Sequence, residues 1–351
     1  MSPGTDLISC TKALRTRVKK AAKFGFADLT GESMPEVVSS TFREFTPHKP
    51  EKHRIDNGKN TGAFDKYEDT VFDYPSIIQS KLGGKWDQYN KLLSAQIGLC
   101  NFHCWYCYVP EAVLRGSGAQ YLTPQDLVDQ FLKIRCARES KSSVLRISGG
   151  EPFLAPDLVL DCLEYLERIG LDKEVFLWSE TNLSPFLSEE PGGPVLAQIW
   201  LQQRGSRLED LASFRNFALH PCLHGTNPSD FHQTTLAQAE FFDRLVEAFA
   251  TLVRSRIAIY PTISSNASPS DNLDSLFSKL KAIHPNLPLR FALVTYDFAY
   301  PPVNERLTRE HRTPTRYDSR SMISKWDELL RKHYGKSYAE IPRKDVGLDD
   351  Q

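Results

Sequence analysis

Three cysteines fall within eight residues, in Leu99-Cys100-Asn101-Phe102-His103-Cys104-Trp105-Tyr106-Cys107, a C-x3-C-x2-C spacing. Thiolates this close on one loop can share a metal centre. Each can take one iron of a cubane and leave the fourth iron without a protein ligand, and an open position on a metal is what inner-sphere chemistry requires. A structural zinc site instead asks for four ligands, commonly two cysteine pairs or a cysteine pair with a distant histidine pair. No second pair follows here, and His103, inside the x3 spacer, is sterically awkward as a fourth ligand beside all three cysteines. A cluster that only carries electrons usually has a fourth protein ligand as well. Cys10, Cys136, Cys162 and Cys222 are scattered, so one cluster is the simplest count. Seven cysteines is also an odd number for paired disulfides and points to metal chemistry in a reducing compartment.

A second run, Val144-Leu145-Arg146-Ile147-Ser148-Gly149-Gly150-Glu151-Pro152, reads as a buried strand ending in a tight glycine turn. In α/β sheets ligands gather beyond the carboxyl ends of the strands, and this turn ends the strand expected beside the cysteine loop. Two more strand ends carry polar clusters, Trp178-Ser179-Glu180-Thr181-Asn182-Leu183 and His220-Pro221-Cys222-Leu223-His224-Gly225-Thr226-Asn227-Pro228. Ser, Thr and Asn at such places also serve as helix caps, and Cys222 reads as a small buried residue.

The cysteine loop resembles the CxxxCxΦC hallmark of the radical S-adenosylmethionine (radical SAM) superfamily, with Tyr106 at the aromatic position, and Gly149 to Pro152 stands where that superfamily has its GGEP motif. The resemblance runs from about Leu92 to Pro302. Around His224 it leans toward the pyruvate formate-lyase activating enzyme-like group. It implies one [4Fe–4S] cluster held by Cys100, Cys104 and Cys107, with S-adenosylmethionine as second cofactor. By the same resemblance Tyr106 lies by the adenine, and Gly149, Gly150, Glu151 and Pro152 surround the amino group of the methionine moiety. Ser179, Glu180 and Asn182 would border the ribose or carboxylate, and His224 would sit where cofactor and substrate meet. The implied reaction is reductive cleavage of S-adenosylmethionine to a 5′-deoxyadenosyl radical that abstracts a hydrogen atom from a small-molecule or protein substrate. An electron donor such as flavodoxin or ferredoxin is the implied partner. Two alternatives stay open: a glycyl-radical enzyme activating enzyme acting on a partner protein, and a non-catalytic iron–sulfur or zinc binding module.

The elements that must position these groups are short β-like runs alternating with helical spacing. Candidate strands are Leu92–Gly98, Ser143–Ser148, Glu174–Ser179, Asn216–Leu223, Arg256–Thr262 and Leu289–Thr295. Between them helical patterns start at Thr123-Pro124-Gln125-Asp126, with a Thr N-cap and Pro at the first position, and cover Asp157–Ile169, Leu236–Val253 and Leu273–Ile283. This order predicts an α/β fold, a partial (β/α)6 TIM-like barrel, in which loops after successive strands meet at one mouth. The later strand ends, Tyr260-Pro261-Thr262 and Tyr296-Asp297, then face the substrate. The barrel is expected over residues 91–302, after an N-terminal extension, 1–90, that is partly loop and before a C-terminal tail, 303–351, with a helix around Ser321–His333. The basic run from Arg15 to Lys23 reads as a solvated helix face or tail, with a docking surface for an anionic partner as the alternative.

A net charge of −1 over 351 residues gives no general attraction to nucleic acid or to anionic membranes. There is no apolar run of about 18 residues and no secretory signal pattern at the start. The expectation is a soluble, cytoplasmic protein.

Overall fold

The computed structural model describes residues 6–20, 22–26, 42–45, 74–83, 92–117, 119–137, 143–264, 272–294, 301–309 and 319–348. The chain opens with helix α1 (Leu7–Val18), strands β1 (Lys19–Lys20), β2 (Lys23–Phe26) and β3 (Phe42–Phe45), and helix α2 (Tyr74–Leu82). There follow β4 (Leu92–Ile97), α3 (Glu111–Leu114), β5 (Gln120–Leu122), α4 (Pro124–Ala137), β6 (Val144–Gly149), α5 (Pro156–Arg168) and β7 (Phe176–Thr181). Next come α6 (Leu196–Gln202), α7 (Leu208–Ala212), β8 (Phe217–His224), α8 (Pro228–Thr235), α9 (Phe241–Arg254) and β9 (Thr262–Ser264). The last elements are α10 (Leu273–Ile283), α11 (Leu287–Arg290), β10 (Ala292–Val294), α12 (Pro301–Arg309) and α13 (Ser319–Tyr334).

Strands β4, β6, β7, β8, β9 and β10 pair side by side in parallel, which makes the α/β sheet of a partial barrel. Among the described residues β10 does not pair back to β4, so the sheet stays open. Alternation along each strand sorts the side chains. Leu145, Ile147, Leu177 and Leu219 face outward into the main core with Leu158, Leu163, Leu245 and Phe249 of the helices. Val144, Phe176, Trp178 and Ala218 face the other way, where Ile77 and Ile78 of α2 close the amino-terminal end of the sheet's inner face. Each large aliphatic or Phe side chain among them stabilises the fold by about 1.5–3 kcal/mol on burial.

Further along the inner face the apolar residues give way to polar ones. The register aligns Gln96 with Ser148 and Glu180 with His220, so a polar row crosses the sheet just below the strand ends. Two strands are shorter than their apolar runs suggest. Pro261 lacks an N–H for the ladder, and between Arg256 and Pro261 only a bridge from Leu219 to Ile259 forms before β9 begins. Pro288 starts the short helix α11, which takes the first half of Leu289–Thr295 away from β10. The helical pattern from Leu236 also divides: Leu236 adopts a left-handed φ of 60° and ends α8, and α9 starts at Phe241.

The described N-terminal elements are built into the barrel. Strand β2 pairs with β4 and β5, and β3 pairs with β4, all antiparallel. Helix α1 is capped by Asp6, whose carboxylate accepts from Ser9 N–H. Its Arg15, expected on a solvated face, is 8% exposed, pairs with Asp157 of α5 at 2.7 Å and donates to the Leu154 carbonyl at 2.9 Å. Lys19 closes on the same carboxylate. Among the described residues no helix is long and apolar enough to cross a membrane.

Candidate functional site

The cysteine loop leaves β4 at Leu99, whose φ of 76° turns the chain sharply without a glycine. The loop is pinned on three sides. Leu99 and Cys100 donate backbone N–H to Val113 and Leu114 of α3 at 3.0 and 3.1 Å, and His103 and Trp105 donate to Thr235 and Thr234 at the end of α8. Arg306 of α12, 3% exposed, donates through both terminal nitrogens to the carbonyls of Cys107 and Val109.

The glycine turn docks directly onto this loop. Gly150 N–H donates to Ile97 O and Glu151 N–H donates to Leu99 O, both at 2.8 Å. A Cβ on Gly150 would lie 2.0 Å from the Leu99 carbonyl oxygen, and Gly149 holds a φ of +97°. Only glycines allow this approach. Glu151 is 1% exposed and its two oxygens accept from Phe153 N–H at 2.8 Å and Asn182 N–H at 2.6 Å, so the carboxylate ties the turn to the end of β7. Burial raises its pKa to about 8 against the pull of those N–H donors.

These parts wall one cleft of about 810 Å³ including its open mouth, within the range of small-molecule sites. Cys100, Cys104, Cys107, Tyr106, Gly149, Gly150, Glu151, Pro152, Glu180, Asn182 and His224 all line it. Ser179 does not. It follows Trp178 and precedes Glu180, and the period of two that brings Glu180 inward turns Ser179, fully buried, to the helical side with Leu177. Tyr260 is likewise part of the inner apolar floor, stacked on Trp178 at 5.5 Å, whereas Thr262 reaches the cleft. Tyr296 and Asp297 lie outside the described residues.

Ser264 and Arg146 were given no role by the sequence, yet each holds a group that lines the cleft. The Tyr106 hydroxyl meets His224 Nδ1 and Ser264 Oγ, the latter at 3.0 Å, and this set bridges the cysteine loop to β8 and β9. Burial, with His220 nearby, keeps the His224 imidazole neutral, its pKa down at about 3. Deeper, Arg146 donates to Glu180, Ser148 donates to Glu180 at 2.6 Å, and His220 Nε2 meets Thr262 Oγ1 at 3.0 Å. Burial raises the Glu180 pKa, but Arg146, His220 and Ser148 outweigh it and hold the carboxyl below its ordinary range. Burial lowers His220 to about 4. The signal that could have found this network is an arginine at an inward position of an otherwise apolar strand, which demands a buried anion.

The three thiols are free, and burial raises all three pKa values. Bound metal is what releases protons from such groups. Among the described residues no set of three or more His, Cys, Asp or Glu converges on a single-ion position.

Residues 97–257 match the family model described as the Radical SAM superfamily. This span is similar to that superfamily. It runs from the end of β4 to the approach to β9 and contains the cysteine loop, the glycine turn and both polar strand ends. No curated protein matches the chain. Among solved structures, the chain is similar to Streptococcus suis SuiB bound to precursor peptide SuiA, at 13% identity and a TM-score of 0.44, over 68% of this chain and 44% of that one. It is also similar to Streptococcus suis SuiB, at 13% identity and a TM-score of 0.42, over 80% of this chain and 55% of that one. Similarity to TYW1 with a lysine-pyruvate adduct bound is 11% in identity with a TM-score of 0.40, over 76% of this chain and 80% of that one. The chain thus spans about half the length of the SuiB chains.

Proposed function

We propose that this protein is a radical SAM enzyme whose cleft holds a [4Fe–4S] cluster on Cys100, Cys104 and Cys107 with S-adenosylmethionine beside it. The observation that carries the reading is the docking of the Gly149–Pro152 turn onto the cysteine loop by two 2.8 Å backbone bonds, with both walling one cleft. Held by Cys100, Cys104 and Cys107, such a cluster would supply the electron for reductive cleavage of S-adenosylmethionine and so the hydrogen-abstracting chemistry toward substrate.

The protein's own part is positioning and exclusion of water. Three thiols spread along one wall suit a cubane, which takes one thiolate per iron. The backbone carbonyls of Gly149 and Gly150, with the Glu151 carboxylate, offer acceptors for the ammonium of the methionine moiety. Tyr106, held through its hydroxyl by His224 and Ser264, sets the wall beside the adenine. Asn182 and Glu180 border the ribose and carboxylate region, and Glu180, His220, Cys222 and Thr262 form a polar floor toward the substrate. The segment His224-Gly225-Thr226-Asn227-Pro228 favours the pyruvate formate-lyase activating enzyme-like group, for which the hydrogen donor is a backbone glycine of a partner protein.

The test is anaerobic reconstitution, iron and sulfide analysis, then dithionite and S-adenosylmethionine with chromatographic detection of 5′-deoxyadenosine. Iron and sulfide in cubane ratio, with nucleoside released by the native chain and not by Cys104→Ala, is the expected result. A colourless protein holding one zinc per chain would overturn it. A glycyl-radical EPR signal on a partner protein tests the activating-enzyme reading.

A further inference from the structure

Asn182 carries an amide that reaches a cluster-loop cysteine: its Nδ2 lies 3.7 Å from Cys100 Sγ. An asparagine offers donors at one end of the amide and an acceptor at the other, so its partners decide which end faces the sulfur. The backbone N–H of Ser184 can only donate, and it lies 3.0 Å from Asn182 Oδ1. The Ser184 hydroxyl donates to the same oxygen at 2.6 Å. The carbonyl end of Asn182 is therefore occupied by donors, and the NH2 end faces Cys100.

A second anchor gives the same direction from the opposite side. Thr11 of α1 donates its single hydroxyl proton to the Leu7 carbonyl at 2.7 Å. Toward Asn101, 2.7 Å away, that hydroxyl can only accept, which fixes the NH2 end of Asn101 against α1, where it also reaches Ser184 Oγ at 2.7 Å. Asn101 is left to present its Oδ1 to Asn182 Nδ2, at 2.8 Å. One amide proton of Asn182 goes to Asn101 and the other is aimed at Cys100. Thr11, Asn101 and Ser184 are fully buried and Asn182 nearly so, which keeps water from competing for these groups.

We propose that Thr11, Asn101 and Asn182 form a fixed hydrogen-bond chain that raises the reduction potential of the cluster by donating to the Cys100 sulfur. The proposal rests on the reading of Cys100 as a cluster ligand. A hydrogen bond to a coordinating sulfur stabilises the more negative, reduced state, and groups behind the ligands orient that donor. Thr11 and Asn101 are positioning residues here, acting through Asn182. Helix α1 thereby becomes part of the redox site although it lies outside the span matched by the family model.

The experiment is an EPR-monitored potentiometric titration of the reconstituted full chain, with iron and sulfide quantified in the same samples. Asn182→Leu removes the donor at similar volume. It should keep its iron while its reduction equilibrium shifts about tenfold toward the oxidised state, a potential about 59 mV more negative for one electron. Thr11→Val removes the distant acceptor and should shift the potential in the same direction by less, and Thr11→Ser should restore the native value. Native potentials in Asn182→Leu and Thr11→Val at full iron content would overturn the proposal. If Asn182→Leu fails to hold iron, the comparison of Thr11→Val with Thr11→Ser decides, and equal potentials there overturn it. A native chain that binds no iron at all would instead refute the cluster reading beneath it.

Discussion

Replacing Gly150 by alanine probes the contact on which the site's geometry depends. The new Cβ would stand 2.0 Å from the Leu99 carbonyl oxygen, 2.6 Å from its carbon and 3.0 Å from the Ile97 carbonyl oxygen, where ordinary contact begins at 3.4 Å. All three are backbone atoms, so no side-chain rotation relieves the clash. The glycine turn and the cysteine loop must part by more than an ångström, which breaks the Gly150-to-Ile97 and Glu151-to-Leu99 bonds. Overpacking at about 1–3 kcal/mol and two hydrogen bonds at about 0.5–1.5 kcal/mol each give a loss of roughly 2–6 kcal/mol. A displacement of that size should also lower the proposed cleavage of S-adenosylmethionine on the order of 10²-fold. Two controls isolate the cause. Gly347→Ala enters open space and should change stability by less than about 0.5 kcal/mol. Gly170→Ala enters open space at a φ of +73° and should cost about 1–2 kcal/mol from the backbone alone. Urea denaturation and 5′-deoxyadenosine release measure both effects. The reasoning fails if Gly150→Ala is no less stable than Gly170→Ala.

Asp157→Asn should destabilise by about 3–5 kcal/mol, because it leaves Arg15 buried without its anion. Burial raises the Asp157 pKa, but Arg15 and Lys19 bring it below the ordinary 3.8. The stability it provides is therefore full above pH 3.8 and lost as pH falls through the lower folded value, and hydrogen exchange of α1 amides reads its release. His220 is held at about 4 by burial, against an ordinary 6.5. The unfolded chain thus takes up that proton first, stability falls as pH drops from 6.5 toward 4, and His220→Gln should flatten that slope in guanidinium midpoints measured across this range. Arg306→Met frees the Cys107 and Val109 carbonyls and, if the proposed cluster is held on this loop, should speed iron loss from the reconstituted chain to a chelator, followed by the decay of visible absorption.

The parts of the site legible in the sequence were those with local spacing: the cysteine loop, the glycine turn after β6, and the polar ends of β7 and β8. The helix Leu273–Ile283 also matches its apolar spacing to the residue. What stayed hidden depends on long-range partners. Arg15 looks like any charge in a basic run until Asp157, on a distant helix, comes under it. Ser179 and Glu180 are adjacent in sequence, and their opposite fates follow from the strand's register, since a shift of one residue exchanges the two faces. Arg306 was unreadable because two of its acceptors are the backbone carbonyls of Cys107 and Val109, which leave no trace in residue types, and the third, Glu111, lies 195 residues away.

The bond from Arg306 to Cys107 spans 199 residues of sequence. On a ribosome that interval takes roughly 10–40 s. Throughout it the thiols exist, exposed to oxidants and stray metals, while their last brace has yet to be synthesised. If the loop holds the proposed cluster, loading it with this brace in place is a late event in the life of each molecule, and a chain cut short after the matched span would carry every motif without the Arg306 brace.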